Sequence, residues 1–316
     1  MKIFCYIIFI LAIAANCFSQ NVVATVDKLP AVVSGSFKRL ENFQSKYVEV
    51  RNVDVWLPEG YSTKKKYPVL YMQDGQMLFD STTTWNHLDW GVDDVAGKLI
   101  TEKKVRPFIV VGIWNTGAKR HIEYFPQKPF ESMPAEQQDS IFKASRKNGH
   151  SVFSVDKIQS DEYLKFVISE VKPFIDSTFS VLKDQPNTFI AGSSMGGLIS
   201  MYAICEYPEI FGGAACLSTH WPGVFTMKDN PIPNAFFNYM KTHLPNPANH
   251  RIYFDYGTET LDALYPPLQK KADEIIKAKG FTAANWITKE FVGASHSEAA
   301  WKQRLHFPLE FLLKQK

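Results

Sequence analysis

The chain has 316 residues, 45% of them hydrophobic, with a formal net charge of +3. That is enough apolar material for a large core and an ordinary size for one α/β domain. So small a charge over so long a chain implies neither a nucleic-acid nor an acidic-membrane partner.

The first twenty residues read as an export leader. Lys2 supplies a positive start, and residues 3–15 form an apolar run too short for a comfortable membrane span. Cys17 and Ser19 put small side chains where a signal peptidase reads, so cleavage is expected near Ser19 or Gln20. Cys17 as a lipid-attachment site ranks lower, because Asn16 stands where a lipobox wants Gly or Ala. No later stretch is long and apolar enough to cross a bilayer. The expectation is a signal peptide at 1–20 and a single domain at 21–316, exported to the periplasm or secreted. Of the four cysteines, Cys205 and Cys216 then remain, both in apolar surroundings and read as buried thiols. Export allows a disulfide between them, but nothing in the sequence indicates one.

Residues 34–57 read as an antiparallel strand pair: Val48 and Val50 alternate, then Val53, Val55 and Leu57, with a slip at Arg51-Asn52 that suggests a turn or bulge. Residues 68–72 (PVLYM) are a continuous apolar strand, as in a sheet covered on both faces. They run into Asp74-Gly75-Gln76. A helix follows, with Leu88, Val92, Val95, Ala96 and Leu99 at helical spacing, then the strand 108–113 (FIVVGI). Residues 114–153 break the rhythm with three prolines and a possible polar helix at 135–147. A connection of that length leaving a strand end reads as a lid or pocket wall. Ser160 is placed as the cap of the next helix, and Pro173 should kink or break it.

Residues 187–207 (NTFIAGSSMGGLISMYAICEY) are strand, sharp turn and helix, with Ser194 at the bend. A bare Gly-x-Ser-x-Gly is a weak signal, since both residues are common. Here a β-type run precedes it, and Gly192, Ser193, Gly196 and Gly197 fill every tight position. The arrangement is that of a nucleophile elbow, in which the backbone N–H of Met195 points to where an oxyanion would develop. Beyond it come a buried strand at 213–217, a second insertion at 218–249, a strand at 251–256, a helix at 267–279, a last strand at 285–291 and a last helix at 297–313. The alternation predicts an α/β fold with an open, mostly parallel central sheet and helices on both faces.

A serine hydroxyl needs a base within reach, and the base needs an orienting carboxylate. Elbow hydrolases carry these in the order Ser, Asp or Glu, His. Strand 251–256 exits through Gly257-Thr258-Glu259-Thr260-Leu261-Asp262, and strand 285–291 through Gly293-Ala294-Ser295-His296. Both loops leave carboxyl ends of strands, where such sheets bind ligands. His296 is therefore the candidate base, framed by a possible capping box from Ser295 to Glu298. His220 and His306 rank below it. Asp262 is the preferred acid, with Glu259 as the alternative. A second oxyanion donor is expected from the loop after PVLYM, the N–H of Gln76 or Gly75. No metal-spaced cluster is present, and no cofactor is called for.

The runs VLYMQDGQMLFD, AGSSMGGL, DYGTETLD and GASHSEAAW, in this order, resemble the putative-esterase family of α/β-hydrolases. That family is similar to feruloyl and acetylxylan esterases, siderophore esterases, S-formylglutathione hydrolase and mycolyltransferases. The resemblance spans residues 48–313. It implies an α/β-hydrolase fold, a nucleophile at Ser194, a base at His296, and an oxyanion hole from Met195 and the loop 74–76. The family often carries its acid nearer the strand-ending glycine than Asp262 stands, which keeps Glu259 open. The expected activity is ester hydrolysis through an acyl-enzyme, with a small-molecule or carbohydrate-linked ester as substrate. Trp114, Tyr124, Trp221 and Phe225 in the insertions suggest stacking on sugar or phenolic rings. Rival readings are a siderophore esterase using Arg120 and Lys119, an acyltransferase, and a non-catalytic binding protein on the same fold.

Overall fold

The computed structural model describes residues 29–146, 152–155, 157–225 and 228–315. The leader read at residues 1–20, with Cys17, lies outside the described residues. Eight strands are present among those described: β1 (Ser36–Phe43), β2 (Arg51–Leu57), β3 (Val69–Met72), β4 (Ile109–Ile113), β5 (Thr188–Ser193), β6 (Gly213–Leu217), β7 (Arg251–Gly257) and β8 (Trp286–Phe291). They form one sheet in the order β1-β2-β4-β3-β5-β6-β7-β8. β2 runs antiparallel to both β1 and β4. From β4 onward every neighbouring pair is parallel. The chain steps outward from β3 to β4, then returns to lay β5 on the other side of β3. That reversal opens a crevice beyond the carboxyl ends of β3 and β5, where sheets of this kind bind ligands.

Alternation along each strand sends side chains to two cores. Tyr71, Val111 and Ile190 enter one, with Tyr163, Leu198, Ile204 and Ile276 from the helices Ser160–Phe166, Met195–Glu206 and Pro266–Ala278. Leu70, Val110, Phe189 and Ala191 enter the other, with Ala96, Leu99, Trp301 and Leu309 from the helices Val92–Thr101, Glu298–Arg304 and His306–Leu313. Both faces of the sheet are thus covered, as the unbroken apolar runs of β3 and β4 require. The fold is that of the α/β-hydrolases.

Several local readings change. Val48 and Val50 lie in the β1–β2 connection, and Val50 is 46% exposed. The irregularity sits in β1 between Leu40 and Phe43, where Asn42 takes φ 51° and its N–H donates to Asn52 Oδ1. Asparagine tolerates that left-handed conformation better than most residues. Leu88 precedes the helix Val92–Thr101, which starts after Gly91. Ser160 begins its helix rather than capping it, and its hydroxyl accepts from the Gln127 N–H at 2.9 Å. Pro173 does not end the helix. A π-turn over Val167–Val171 absorbs the missing proline N–H, and the helix continues as Lys172–Thr178. The C-terminal helix is two, parted at Leu305, because Pro308 cannot donate to the Arg304 carbonyl.

The 114–153 segment is a packed layer over one core rather than a loose flap. It carries the helices Arg120–Tyr124, Gln127–Glu131 and Ala135–Arg146, and buries Ile122, Tyr124, Phe125, Phe130 and Phe153. The 218–249 segment holds the helix Ile232–His243 and buries Phe236, Phe237 and Met240. Cys205 and Cys216 are free and buried, and burial pushes both thiols up. No helix among the described residues is long and apolar enough to cross a membrane.

Candidate active site

Ser194 stands between the last residue of β5 and the first residue of the helix Met195–Glu206, with φ 58° and ψ −120°. An L-residue there carries strain of about 1–3 kcal/mol. The surroundings fix it from three sides. Its N–H donates to Leu217 O at 2.9 Å, and its carbonyl accepts from His220 N–H and Leu198 N–H, each at 3.1 Å. Gly192 lets the turn close, since a Cβ there would fall 2.7 Å from the Gly196 backbone. Met195 opens the helix, so its N–H is one of those without an intrahelical acceptor.

β7 ends at Gly257, and the 3₁₀ turn Thr260–Leu264 follows. It buries Asp262 completely. The loop after β8 brings His296 down onto it: His296 Nδ1 is 2.5 Å from Asp262 Oδ1, and the His296 N–H donates to Thr260 Oγ1 at 2.9 Å. The other carboxylate oxygen, Oδ2, accepts from Ser218 Oγ and from the Gly257 N–H, both at 2.6 Å. Burial raises the Asp262 carboxyl, but the bonds from His296 and Ser218 outweigh it and leave the group below its usual range. Of the two carboxylates left open by the sequence, Asp262 is the one bonded to His296. Glu259 is exposed at the mouth of the turn. The expected capping box is displaced. Its helix starts at Glu298, so Ser297 caps it by accepting from Ala300 N–H, while Glu298 takes a bond from Asn86 Nδ2 at 3.0 Å.

Ser194, Asp262 and His296 follow the carboxyl ends of the parallel strands β5, β7 and β8, so the three residues stand at the same edge of the sheet. Beyond β3, Asp74 adopts φ 56° and the 3₁₀ turn Gly75–Met77 follows. A Cβ on Gly75 would lie 2.5 Å from the Gly112 carbonyl of β4, so only glycine fits there. Gln76 accepts the Asn115 N–H at 3.2 Å through Oε1. The Asp74 carboxylate is clamped by Arg120 Nε and Nη2 and by Asn115 Nδ2, each at 2.7 Å. The turn abuts the elbow, since Gln73 N–H donates to Ala191 O at 2.9 Å.

Three residues that the sequence did not single out, Ser218, Arg304 and Tyr265, complete the surroundings. Ser218 accepts from Trp301 Nε1 at 3.0 Å and Arg304 Nη2 at 2.7 Å. Arg304 also pairs with buried Asp255 at 3.0 Å. The Tyr265 hydroxyl lies 2.8 Å from His220 Nδ1 and beside the Ser194 side chain. Its position at the start of a proline-led helix, just past the acid turn, was the one available signal. His220, ranked low from sequence, is buried against the elbow. Burial, with His121, His296 and Arg120 nearby, pushes its pKa down to about 3. His306 lies away from these groups, against Phe307.

The aromatic reading changes in detail. Trp221 and Tyr124 are fully buried core residues, and Trp114 is held by Asp54 and stacked under Arg39. Phe225 is 70% exposed, with its ring 5.7 Å from that of His220. Trp85, which the sequence did not flag, is 82% exposed beside Asn86 and its bond to Glu298. The two cations named for the siderophore-esterase reading already have partners, Arg120 with Asp74 and Lys119 with Glu49. Among the described residues no group of three or more His, Cys, Asp or Glu is placed to hold a metal ion.

Comparison with known proteins finds relatives of this chain. The model of the family described as "Putative esterase" matches residues 47–311. An endo-1,4-beta-xylanase/feruloyl esterase of Xylanibacter ruminicola is 25% identical over 292 residues, 89% of this chain and 32% of that one. The chain thus spans about a third of that relative's length. Among solved structures, a ferulic acid esterase of Anaeromyces mucronatus in complex with ferulic acid superposes with a TM-score of 0.60 at 19% identity, covering 90% of this chain and 92% of the other. The enterobactin esterase of Shigella flexneri does so with a TM-score of 0.61 at 15% identity, covering 90% and 60%. At these identities the structural likeness concerns the fold.

Proposed function

The chain belongs to the putative-esterase family, and from that premise we propose that it is a serine esterase that hydrolyses carboxylic esters through an acyl-enzyme. The observation that carries the reading is the Asp262–His296 bond of 2.5 Å at the sheet edge where Ser194 sits in its strained turn. His296 Nδ1–H donates to Asp262, which leaves Nε2 with its lone pair free to act as base. Ser194 Oγ attacks the ester carbonyl and gives its proton to His296. The oxyanion is met by the Met195 N–H and by an N–H of the Gly75–Gln76 turn. His296 then protonates the departing alkoxide, and a water molecule repeats the sequence on the acyl-enzyme. The cycle requires no metal or organic cofactor.

The substrate class we favour is an acyl ester on carbohydrate, feruloyl or acetyl. Two things support it: the relative whose name pairs a xylanase with a feruloyl esterase, and the exposed rings of Phe225 and Trp85 on loops tied to His220 and Glu298. The leader-like residues 1–20 fit an enzyme that works outside the cytoplasm, which N-terminal sequencing of the exported protein would check. The main test is p-nitrophenyl acetate with wild type and Ser194→Ala. Wild type should release nitrophenol and the variant should not. Equal release by both would end the esterase reading. A parallel screen of methyl ferulate, acetylated xylan and a catecholate siderophore ranks the substrate class.

A further inference from the structure

The acyl-enzyme cycle leaves one polar neighbour of Ser194 without a task. Tyr265 is fully buried at the start of the helix Pro266–Ala278. Its backbone N–H donates to Asp262 O at 2.9 Å, which sets the phenol in register with the acid turn. Its ring stands edge-on to His296 at 5.9 Å and to His220 at 6.0 Å. Its hydroxyl lies 2.8 Å from His220 Nδ1 and beside the Ser194 side chain. One phenol therefore lies beside the attacking residue, packs edge-on against the base and reaches a second histidine. Burial raises its pKa, so it keeps its proton throughout the range in which a serine esterase works. His220 cannot drift away, because its own N–H is bonded to Ser194 O at 3.1 Å.

The direction of the phenol proton decides what Tyr265 can do. A neutral imidazole carries one N–H. With that proton on Nδ1, His220 donates to the phenol oxygen, and the phenol O–H is free to donate to Ser194. With it on Nε2, the phenol must donate to His220 and can only accept from Ser194. His220 Nε2 is buried and has no hydrogen-bond partner. The second arrangement strands an N–H there, whereas the first leaves only an unpaired lone pair, and orphaned buried N–H groups are the rarer case. The first arrangement also places a donor where charge builds. As His296 takes the serine proton, Oγ becomes alkoxide-like, and a fixed dipole in a dry site stabilises it without reorganising.

We propose that Tyr265 is a catalytic residue that donates a hydrogen bond to Ser194 Oγ, and that His220 is the positioning residue that keeps its proton aimed there. The inference rests on Ser194 being the nucleophile. The experiment compares wild type, Ser194→Ala, Tyr265→Phe, His220→Phe, His220→Asn and the Tyr265→Phe/His220→Phe double variant. Initial rates on p-nitrophenyl acetate give kcat and KM, and inactivation by an organophosphate reads the reactivity of Ser194 directly. Tyr265→Phe should lower both kcat and the inactivation rate about 10–100-fold, at the lower end for loss of one donor, with KM within about two-fold. His220→Phe should match it, and the double variant should lose no more than either single one, because the pair acts as a unit. His220→Asn puts an amide N–H near the position of Nδ1 and should recover most of the rate. A wild-type rate in folded Tyr265→Phe, or additive losses in the double variant, would overturn the proposal. If Tyr265→Phe does not fold, the contrast between His220→Phe and His220→Asn decides by itself. Loss with recovery supports the arm, and equal rates overturn it. An active wild type with a dead Ser194→Ala keeps the esterase reading intact whichever way Tyr265 falls.

Discussion

Asp262 takes bonds from three sides while remaining out of water. It receives His296 Nδ1 on one oxygen and both Ser218 Oγ and the Gly257 N–H on the other. An amide in its place has only one acceptor oxygen. It would leave either His296 or the Ser218–Gly257 donors facing an NH₂ group, and would favour the imidazole tautomer with its proton on the wrong nitrogen. Asp262→Asn should therefore reduce kcat by about 10⁴-fold, as losing the orienting acid does in triads generally. Glu259→Gln should stay within about two-fold of wild type, since that side chain is exposed. Steady-state kinetics on the two variants side by side tests the assignment, and the reverse ranking would hand the acid role to Glu259. Chain order was enough to nominate Ser194 and His296 and to narrow the acid to Asp262 or Glu259, because each sits where a glycine-marked strand end must turn. Ser218, Tyr265 and Arg304 carry no such mark. Arg304 reaches Ser218 from 86 positions along the chain, a meeting that only the tertiary fold creates.

The turn after β3 shows how an element, rather than a side chain, can carry the chemistry. Asp74 is held in the left-handed region while Arg120 and Asn115 grip its carboxylate, and Gly75 presses against the β4 backbone. The sequence located this turn from the end of PVLYM, but its clamp comes from the 114–153 segment, whose helices had no clear apolar period to read. Gly75→Ala forces a Cβ to within 2.5 Å of the Gly112 carbonyl, which belongs to a central strand and cannot yield. The turn must lift instead, carrying its N–H groups away from the oxyanion. The expected result is a 10²–10³-fold fall in kcat, about the cost of one lost oxyanion donor, together with a lower melting temperature and a KM close to wild type. A variant that melts lower yet turns over at the wild-type rate would remove this turn from the oxyanion hole.

At the scale of the whole molecule, the reversal of strand order beside β3 is what brings segments from distant parts of the chain to one crevice. The parallel core was legible because buried strands read as unbroken apolar runs. The bulge in β1, the π-turn before Pro173 and the break at Leu305 were not, since each answers to backbone geometry rather than to periodicity. Packing histidines into that crevice has a consequence for stability. Burial lowers His220 from the ordinary 6.5 to about 3, and His121 likewise to about 3. Between those values the unfolded chain binds protons that the folded one refuses, so stability is complete above about pH 6.5 and falls as pH drops, by about 1.4 kcal/mol per pH unit for a fully buried group. Asp255 works the other way: burial, only partly offset by Arg304, raises its carboxyl from 3.8 to about 6, so between those values the folded state holds the extra proton. Two imidazoles against one carboxyl leave a net loss on acidification. The denaturant midpoint should therefore decline steadily from pH 6.5 to 4.5. His220→Gln, which removes one of the two refusing groups and leaves the other opposed by Asp255, should flatten most of that decline. A variant as steep as wild type would mean that His220 takes up its proton without leaving the folded state.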